Sequence, residues 1–267
     1  MTAVRFENVR FSYPSGVEAL HGVSFEVPTG QRLAIVGQNG AGKTTLVRHL
    51  NGIFQPTSGS VYVAATATTG RAIAELAASV GYVFQNPDEQ IFASTVIADV
   101  EFGPRNLGCS ADEARSRAMA ALETVGLAAE ADTHPLHLSL SERKRVALAG
   151  VLAMQTPIVV LDEPTTGQDA GGVAMVAGVV EALASAGRTV IAITHDMDFA
   201  AEHFDRVVVM AKGEVLADGA PATVFGEADA LARAAVEPPQ LFRLAAHLGW
   251  PDRPLTVEGF VDAFERR

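Results

Sequence analysis

The sequence predicts an α/β fold centred on a mostly parallel sheet with helices on both faces, and three observations predict it. The stretch Gly37-Gln38-Asn39-Gly40-Ala41-Gly42-Lys43-Thr44 fits G-x-x-x-x-G-K-[ST] and lies between an apolar run and a helix-forming segment, the setting of a phosphate-binding loop. Short apolar runs at residues 158–161, 189–193 and 206–210 are separated by helical segments such as residues 172–184, which is how buried parallel strands read. The first of these runs continues into two carboxylates, Asp162 and Glu163, so polar chemistry collects at a strand end.

In chain order, residues 4–11 and 20–27 alternate apolar and polar well enough for two strands. Gly16 and Pro28-Thr29-Gly30 punctuate them as turns. Leu33-Ala34-Ile35-Val36 is the buried strand before the glycine-rich loop, and residues 45–51 are the helix after it. The turn-rich Gln55-Pro56-Thr57-Ser58-Gly59 leads into a short strand, Val61-Tyr62-Val63. Residues 64–78 are Ala-rich and offer no clear element start. Residues 80–84 read as a buried strand opening into a polar loop, 85–89. The pattern is helical over 111–155, broken around Thr133-His134-Pro135, and helical again after Gly219 with breaks at Pro238-Pro239 and Pro251.

The loop's residue types follow from its chemistry. Glycines let backbone N–H groups turn inward around phosphate oxygens because no Cβ blocks the approach. The helix that follows points its positive dipole end at the same anion. Lys43 is placed to reach the β/γ-phosphates, and Thr44 to give its hydroxyl to Mg²⁺. The pattern arises by chance in roughly 1% of chains this long, given average glycine usage. The alternative, a glycine-rich turn before a cationic helix, is therefore the weaker reading.

At 267 residues and 28.0 kDa the chain can bury a sizeable core. Hydrophobic residues make up 48%, yet no run approaches the roughly 18 consecutive apolar residues of a membrane span; the longest candidate, 173–184, is cut by Glu181. The first residues lack a signal-peptide pattern. The single cysteine, Cys109, has no partner for an internal disulfide and fits a reducing cytosol. A net charge of −11 argues against a general nucleic-acid surface, so no nucleic-acid partner is expected.

A second set of residues completes the site. The strand at 158–161 brings Asp162 beside the loop, where a carboxylate can hold Mg²⁺ directly or through water. Glu163 can orient and deprotonate the attacking water. His195 closes the next apolar strand, whose carboxyl end opens onto the same crevice, although a lone histidine there is more often structural. Gln85 ends another strand and can touch Mg²⁺ or the attacking water, or be an ordinary loop residue. Tyr13 can stack on adenine or fill a core edge.

The ordered set Tyr13, Gly37 to Thr45, Gln85, Leu138-Ser139, Asp162-Glu163, Asp169 and His195 resembles the ATP-binding subunits of ABC transporters, over about residues 3–225. Val83-Phe84-Gln85-Asn86-Pro87-Asp88-Glu89-Gln90-Ile91-Phe92, Asp99-Val100-Glu101-Phe102-Gly103-Pro104 and Thr194-His195-Asp196-Met197-Asp198 are similar, more narrowly, to the ATPases of energy-coupling-factor and cobalt/nickel importers. So is the tail from Pro239-Gln240 to Leu248-Gly249. The resemblance implies a P-loop NTPase (RecA-like) core with an antiparallel β subdomain, a helical subdomain at about 88–155 within a 1–225 ATPase domain, and a C-terminal helical extension at 226–267. It implies ATP and Mg²⁺ as cofactors. It implies Glu163, His195 and Gln85 as catalytic residues. Tyr13, Gly37, Asn39, Gly40, Ala41, Gly42, Lys43, Thr44, Thr45, Ser139 and Asp169 are its nucleotide contacts, and Thr44, Gln85 and Asp162 its metal contacts. It also implies head-to-tail dimers, a transmembrane T component docking near the loop after Gln85, a separate substrate-binding membrane protein, and a peripheral place on the cytoplasmic face of the membrane.

The chain departs from the family at the signature segment, where Leu138-Ser139-Leu140-Ser141-Glu142 replaces Leu-Ser-Gly-Gly-Gln. Leu140 adds a Cβ where backbone must approach the partner's phosphate. Ser139 to Glu142 still reads as a capping box able to start a helix. Glu142 adds a charge that opposes phosphate unless it folds back onto the Ser139 N–H. Arg143, Lys144 and Arg145 read as a solvated face. Gln168 stands where the family usually has Leu. An intact Glu163 and His195 beside an altered signature suit a heterodimer better than a homodimer. The expected function is ATP hydrolysis powering uptake of a metal ion or vitamin. The alternatives are a non-transport ABC ATPase, or a catalytically weak ATP-binding assembly subunit.

Overall fold

The computed structural model describes residues 1–267. The chain opens with antiparallel strands β1 (Thr2–Ser12) and β2 (Glu18–Pro28), then β3 (Arg32–Val36) runs into the glycine-rich loop and helix α1 (Lys43–Val47). Next come β4 (Ser58–Val63), β5 (Thr66–Ala67), α2 (Ile73–Ala77) and β6 (Val80–Val83). Three longer helices follow, α3 (Val96–Asn106), α4 (Ala111–Thr124) and α5 (Leu140–Met154), and they pack on one another. The chain then alternates through β7 (Ile158–Asp162), α6 (Ala170–Ser185), β8 (Thr189–Ile193), α7 (Met197–His203), β9 (Arg206–Ala211) and β10 (Glu214–Gly219). It ends in α8 (Pro221–Val224), α9 (Ala228–Ala234), α10 (Gln240–His247) and α11 (Val257–Glu265).

Two sheets result. The larger has strand order β10-β9-β3-β8-β7-β6 and is parallel except for β10 at its edge; the smaller is antiparallel, β2-β1-β4-β5. Strand residues alternate faces, and here each face meets a different core. Leu33, Ile35, Val160, Ile191, Ile193 and Val208 point toward the small sheet, among Val4, Phe6, Val9 and Leu20. Ala34, Val36, Val159, Leu161, Val190 and Val209 point toward the helices, among Val176, Val180 and Phe199. Burial on both faces is why these strands are continuously apolar in sequence. Each fully buried Leu, Ile or Val contributes roughly 1.5–3 kcal/mol.

Helix starts carry their signals. Thr95, Ser110, Ser139, Asp169 and Asp196 each accept a backbone N–H at the head of the helix that follows. Other boundaries differ from the sequence reading. The helix expected over 45–51 is α1, over by Val47; His49 and Leu50 then bond carbonyls three residues back, and Gly52 turns the chain at φ 76°. Residues 64–78 hold β5 and α2. Helix α3 lies upstream of the expected start at 111, hidden by Gly103-Pro104. Pro104 is tolerated inside it, and a Cβ on Gly103 would stand 2.5 Å from Met154 Cγ, so glycine there lets α3 lie close on α5. Breaks fall as expected between α9 and α10 at Pro238-Pro239, and between α10 and α11 at Pro251.

Candidate nucleotide-binding site

The parallel strands deliver their carboxyl ends to one edge of the large sheet, where the glycine-rich loop, Gln85, Asp162, Glu163 and His195 stand. The loop after β3 cannot carry side chains at its turns: a Cβ on Gly37 (φ 148°) would lie 2.1 Å from the Met210 carbonyl oxygen. Lys43 is buried, at 6% exposure, and its Nζ donates to Gly37 O at 2.6 Å and Gln38 O at 3.0 Å. Burial lowers its pKa, opposed by the nearby Glu163 and Asp162 carboxylates. The result is a cation held over the loop with two anions behind it.

An open cleft of about 240 Å³ is lined by Asn39, Gly40, Ala41, Gly42, Lys43, Thr44 and Thr45 together with Gln85 and Glu163. Gly37 borders a neighbouring cleft with Gln38 and His195. Glycine, lysine and hydroxyl donors converging on one polar hollow fit a polyphosphate.

Asp162 is 2% exposed at the end of β7. Tyr82 Oη donates to its Oδ2 at 2.9 Å, and Thr44 Oγ1 donates to its Oδ1 at 3.4 Å. Burial raises the Asp162 pKa, and the two hydroxyl donors oppose that. The same burial, with Asp162 beside it, raises the Tyr82 phenol. Thr44 and Asp162 thus place two hard oxygens together, the donor type Mg²⁺ takes. No group of three or more His, Cys, Asp or Glu side chains forms a metal cage in the chain.

Glu163 is buried with a left-handed backbone (φ 53°), uncommon for a non-glycine residue. The His195 Nδ1–H donates to its Oε2 at 2.6 Å, and Thr166 Oγ1 donates to the same oxygen at 3.3 Å. His195 itself is 64% exposed, so a buried carboxylate is joined to an open imidazole. Tyr13 Oη pairs with Thr45 Oγ1 at 2.7 Å, and its ring packs edge-on against Phe11 and Phe54. It is tied to the helix that carries the loop.

A profile of the family described as ABC transporter matches residues 20–166, a span that includes the loop, Gln85, Asp162 and Glu163. The chain belongs to the ABC transporter family. This ABC ATPase is 39% identical over 269 residues to the energy-coupling factor transporter ATP-binding protein EcfA of Methanocaldococcus jannaschii, covering 100% of this chain and 96% of that protein. It is 42% identical over 246 residues to a putative ABC transporter ATP-binding protein of Methanothermobacter marburgensis (91% and 88% covered). Among solved structures it resembles cbiO1 from Clostridium perfringens, described as part of the ABC transporter complex cbiONQ. The TM-score is 0.76 at 35% identity, over 93% of this chain and 99% of that one. A dimeric ATP-binding cassette bound to ADP and Pi matches at TM-score 0.75 and 28% identity, covering 81% and 98%.

The remaining expected contacts of this ABC ATPase lie outside the cleft. Ser139 caps α5 and Asp169 caps α6, accepting the Gly172 N–H at 2.7 Å. Glu142 does fold back: its Oε2 accepts the Ser139 N–H at 2.8 Å and the Ser139 hydroxyl at 2.7 Å, and these bonds lower its pKa. Arg143, Lys144 and Arg145 are not a solvated face. Arg143 pairs with Asp88 at 3.0 Å, Lys144 Nζ donates to Thr166 O at 2.6 Å, and Arg145 stands 3.7 Å from Asp169. Sequence reasoning missed Tyr82 and Lys144. Tyr82 alone was findable, as a polar-tipped aromatic in an otherwise apolar buried strand.

Proposed function

We propose that this ATPase powers an energy-coupling-factor importer that takes up a metal ion or a vitamin. One observation carries the reading: Lys43, Thr44, Gln85 and Glu163 line a single cleft, with Asp162 bonded to Thr44 at its edge, in a chain whose whole length aligns with an EcfA protein. Lys43 would hold the β/γ-phosphates, and Thr44 with Asp162 would hold Mg²⁺. When bound, Mg²⁺ would neutralise negative charge on the phosphates. Glu163 accepts the proton of the attacking water, with His195 orienting the carboxylate and Gln85 facing the same water. Tyr13, tied to Thr45, borders the base, and Ser139 and Asp169 face the second subunit.

The importer reading brings a second ATPase subunit, a transmembrane T component docked near the loop after Gln85, and a separate substrate-binding membrane protein. The ATPase sits peripherally on the cytoplasmic face. ATP binding closes the dimer, and hydrolysis reopens it. The residues at 1–225 act as the ATPase domain, with the extension at 226–267 as an added helical unit. A heterodimer is favoured because Leu140 and the folded-back Glu142 alter this chain's contribution to its partner's nucleotide, while its own Lys43, Asp162, Glu163 and His195 are intact.

The test is the mass in solution of full-length Glu163→Gln with and without Mg-ATP. A monomer with ATP demonstrably bound supports a heterodimer. An ATP-dependent homodimer overturns that part of the reading, and failure to bind ATP overturns all of it.

A further inference from the structure

The start of α5 grips the segment that follows Glu163. Ser141 Oγ donates to Gln168 Oε1 at 2.6 Å, and Gln168 Nε2 donates back to Ser141 O at 3.3 Å. One turn further along α5, Lys144 Nζ donates to Thr166 O at 2.6 Å and to Glu163 O at 3.4 Å. Arg145 then faces Asp169 at 3.7 Å. Residues 163–169 are therefore held against α5 at several points along their length.

The first of these contacts joins two of the chain's departures from the family pattern. A glycine at 141 has no hydroxyl to donate, and a leucine at 168 has no amide to answer it. Neither half of the reciprocal pair that Ser141 and Gln168 make has a counterpart with the usual residues. The segment that Gln168 helps to hold begins at a strained group: Glu163 has a left-handed backbone that costs on the order of 1–3 kcal/mol and persists only where its surroundings enforce it. Gln168 itself is anchored from both sides, its N–H donating to Thr165 O at 3.1 Å and its side chain bound to Ser141. The neighbouring Asp169 fixes the head of α6.

We propose that Ser141 and Gln168 are a positioning pair: they clamp residues 163–169 to the head of α5 and so keep the Glu163 carboxylate seated against His195 at the cleft. Neither side chain touches reacting atoms. The pair acts through Glu163, and the proposal rests on the reading of Glu163 as the hydrolytic base. The same contact gives the exposed head of α5, at Ser139 and Leu140, a mechanical link to this chain's own catalytic carboxylate. An event at one is felt at the other.

The test uses the transporter assembled from the full-length chain with its second ATPase subunit and its membrane partners. Steady-state ATP hydrolysis is measured for wild type, Ser141→Ala, Gln168→Leu, the double variant and Ser141→Thr. Each single loss should lower kcat about fivefold to tenfold, the scale of one hydrogen bond read at the barrier, with KM for ATP within about twofold. The double variant should be no worse than the poorer single, because one interaction is being removed twice. Ser141→Thr restores the hydroxyl and should return kcat to within about twofold of wild type. Unchanged kcat, losses that multiply in the double variant, or a rise in KM alone would each overturn the pair. If Gln168→Leu fails to fold, Ser141→Ala and Ser141→Thr decide the matter between them. A wild-type complex with no turnover overturns the functional reading instead, and the pair with it.

Discussion

Two helices of this protein begin where the family resemblance expects phosphate, and they begin in opposite ways. Helix α1 starts at Gly42, which has no side chain to cap it, and no acidic residue stands in its first turn. Helix α5 starts at Ser139 with a complete capping box, and Glu142 occupies the N–H and hydroxyl of Ser139. A helix head leaves several N–H donors without intrahelical partners. At α1 no side chain competes for them, and the buried Lys43 adds charge, so the head is receptive to an anion. At α5 the protein has supplied its own carboxylate. The family resemblance puts phosphate at both; the local chemistry favours it at one.

The largest expected effects break the receptive side. Glu163→Gln should keep ATP binding and lower hydrolysis by about 10²–10⁴-fold, the usual worth of a positioned general base. Calorimetry and phosphate release measured on one preparation check it, and retained turnover would remove Glu163 from the catalytic role. Lys43→Ala should weaken Mg-ATP binding by roughly a hundredfold, since it leaves Asp162 and Glu163 facing the phosphates without their buried cation. Unchanged affinity would mean that the backbone loop alone binds the triphosphate.

The same contrast explains what could be read from sequence. The receptive site is written in fixed local spacings: Gly37 to Thr44 is contiguous, and Asp162 and Glu163 are adjacent at the end of an apolar run. The self-capped side was legible only in part. Ser139 and Glu142, three apart, announced a capping box. Ser141 and Gln168, 27 residues apart, gave no local sign of meeting. Arg143 to Arg145 looked solvated because their partners, Asp88, Thr166 and Asp169, come from other segments. Helix α3 was obscured by Gly103 and Pro104, whose local meaning as breakers is overridden by close packing on Met154. Local rules carried the chemistry of one strand edge; tertiary contacts carried the rest.

A smaller effect sharpens the comparison. Glu142→Gln keeps a capping partner for Ser139 but removes its charge. Fold stability should change by less than about 1 kcal/mol, measured by urea unfolding. If the head of α5 meets a partner's nucleotide, ATP-driven association of the subunits should tighten a few-fold, and more so at low ionic strength, where the removed repulsion is least screened. Sedimentation of the assembled ATPase pair with Mg-ATP reads this directly. Weaker association would show that Glu142 itself contributes to the contact.

The smallest effect concerns the opposite end of the receptive strand. Arg32 opens β3 and Asp205 precedes β9; the guanidinium donates to both carboxylate oxygens, at 3.1 and 2.5 Å. The Arg32 hydrogen bond holds the Asp205 pKa below its ordinary value. A carboxylate depressed in the folded state stabilises above its unfolded pKa of about 3.9, and that contribution disappears as pH falls through the folded value. Because both groups are partly exposed, Asp205→Asn should cost under about 1 kcal/mol at pH 7. The difference from wild type should shrink to nothing in strong acid, which unfolding curves across pH would display. Arg32 lies about 16 Å of extended strand from Gly37, so ATP affinity should not change. A drop in affinity would mean that fastening β3 to β9 at one end sets the loop at the other, and that the receptive helix head depends on the whole strand behind it.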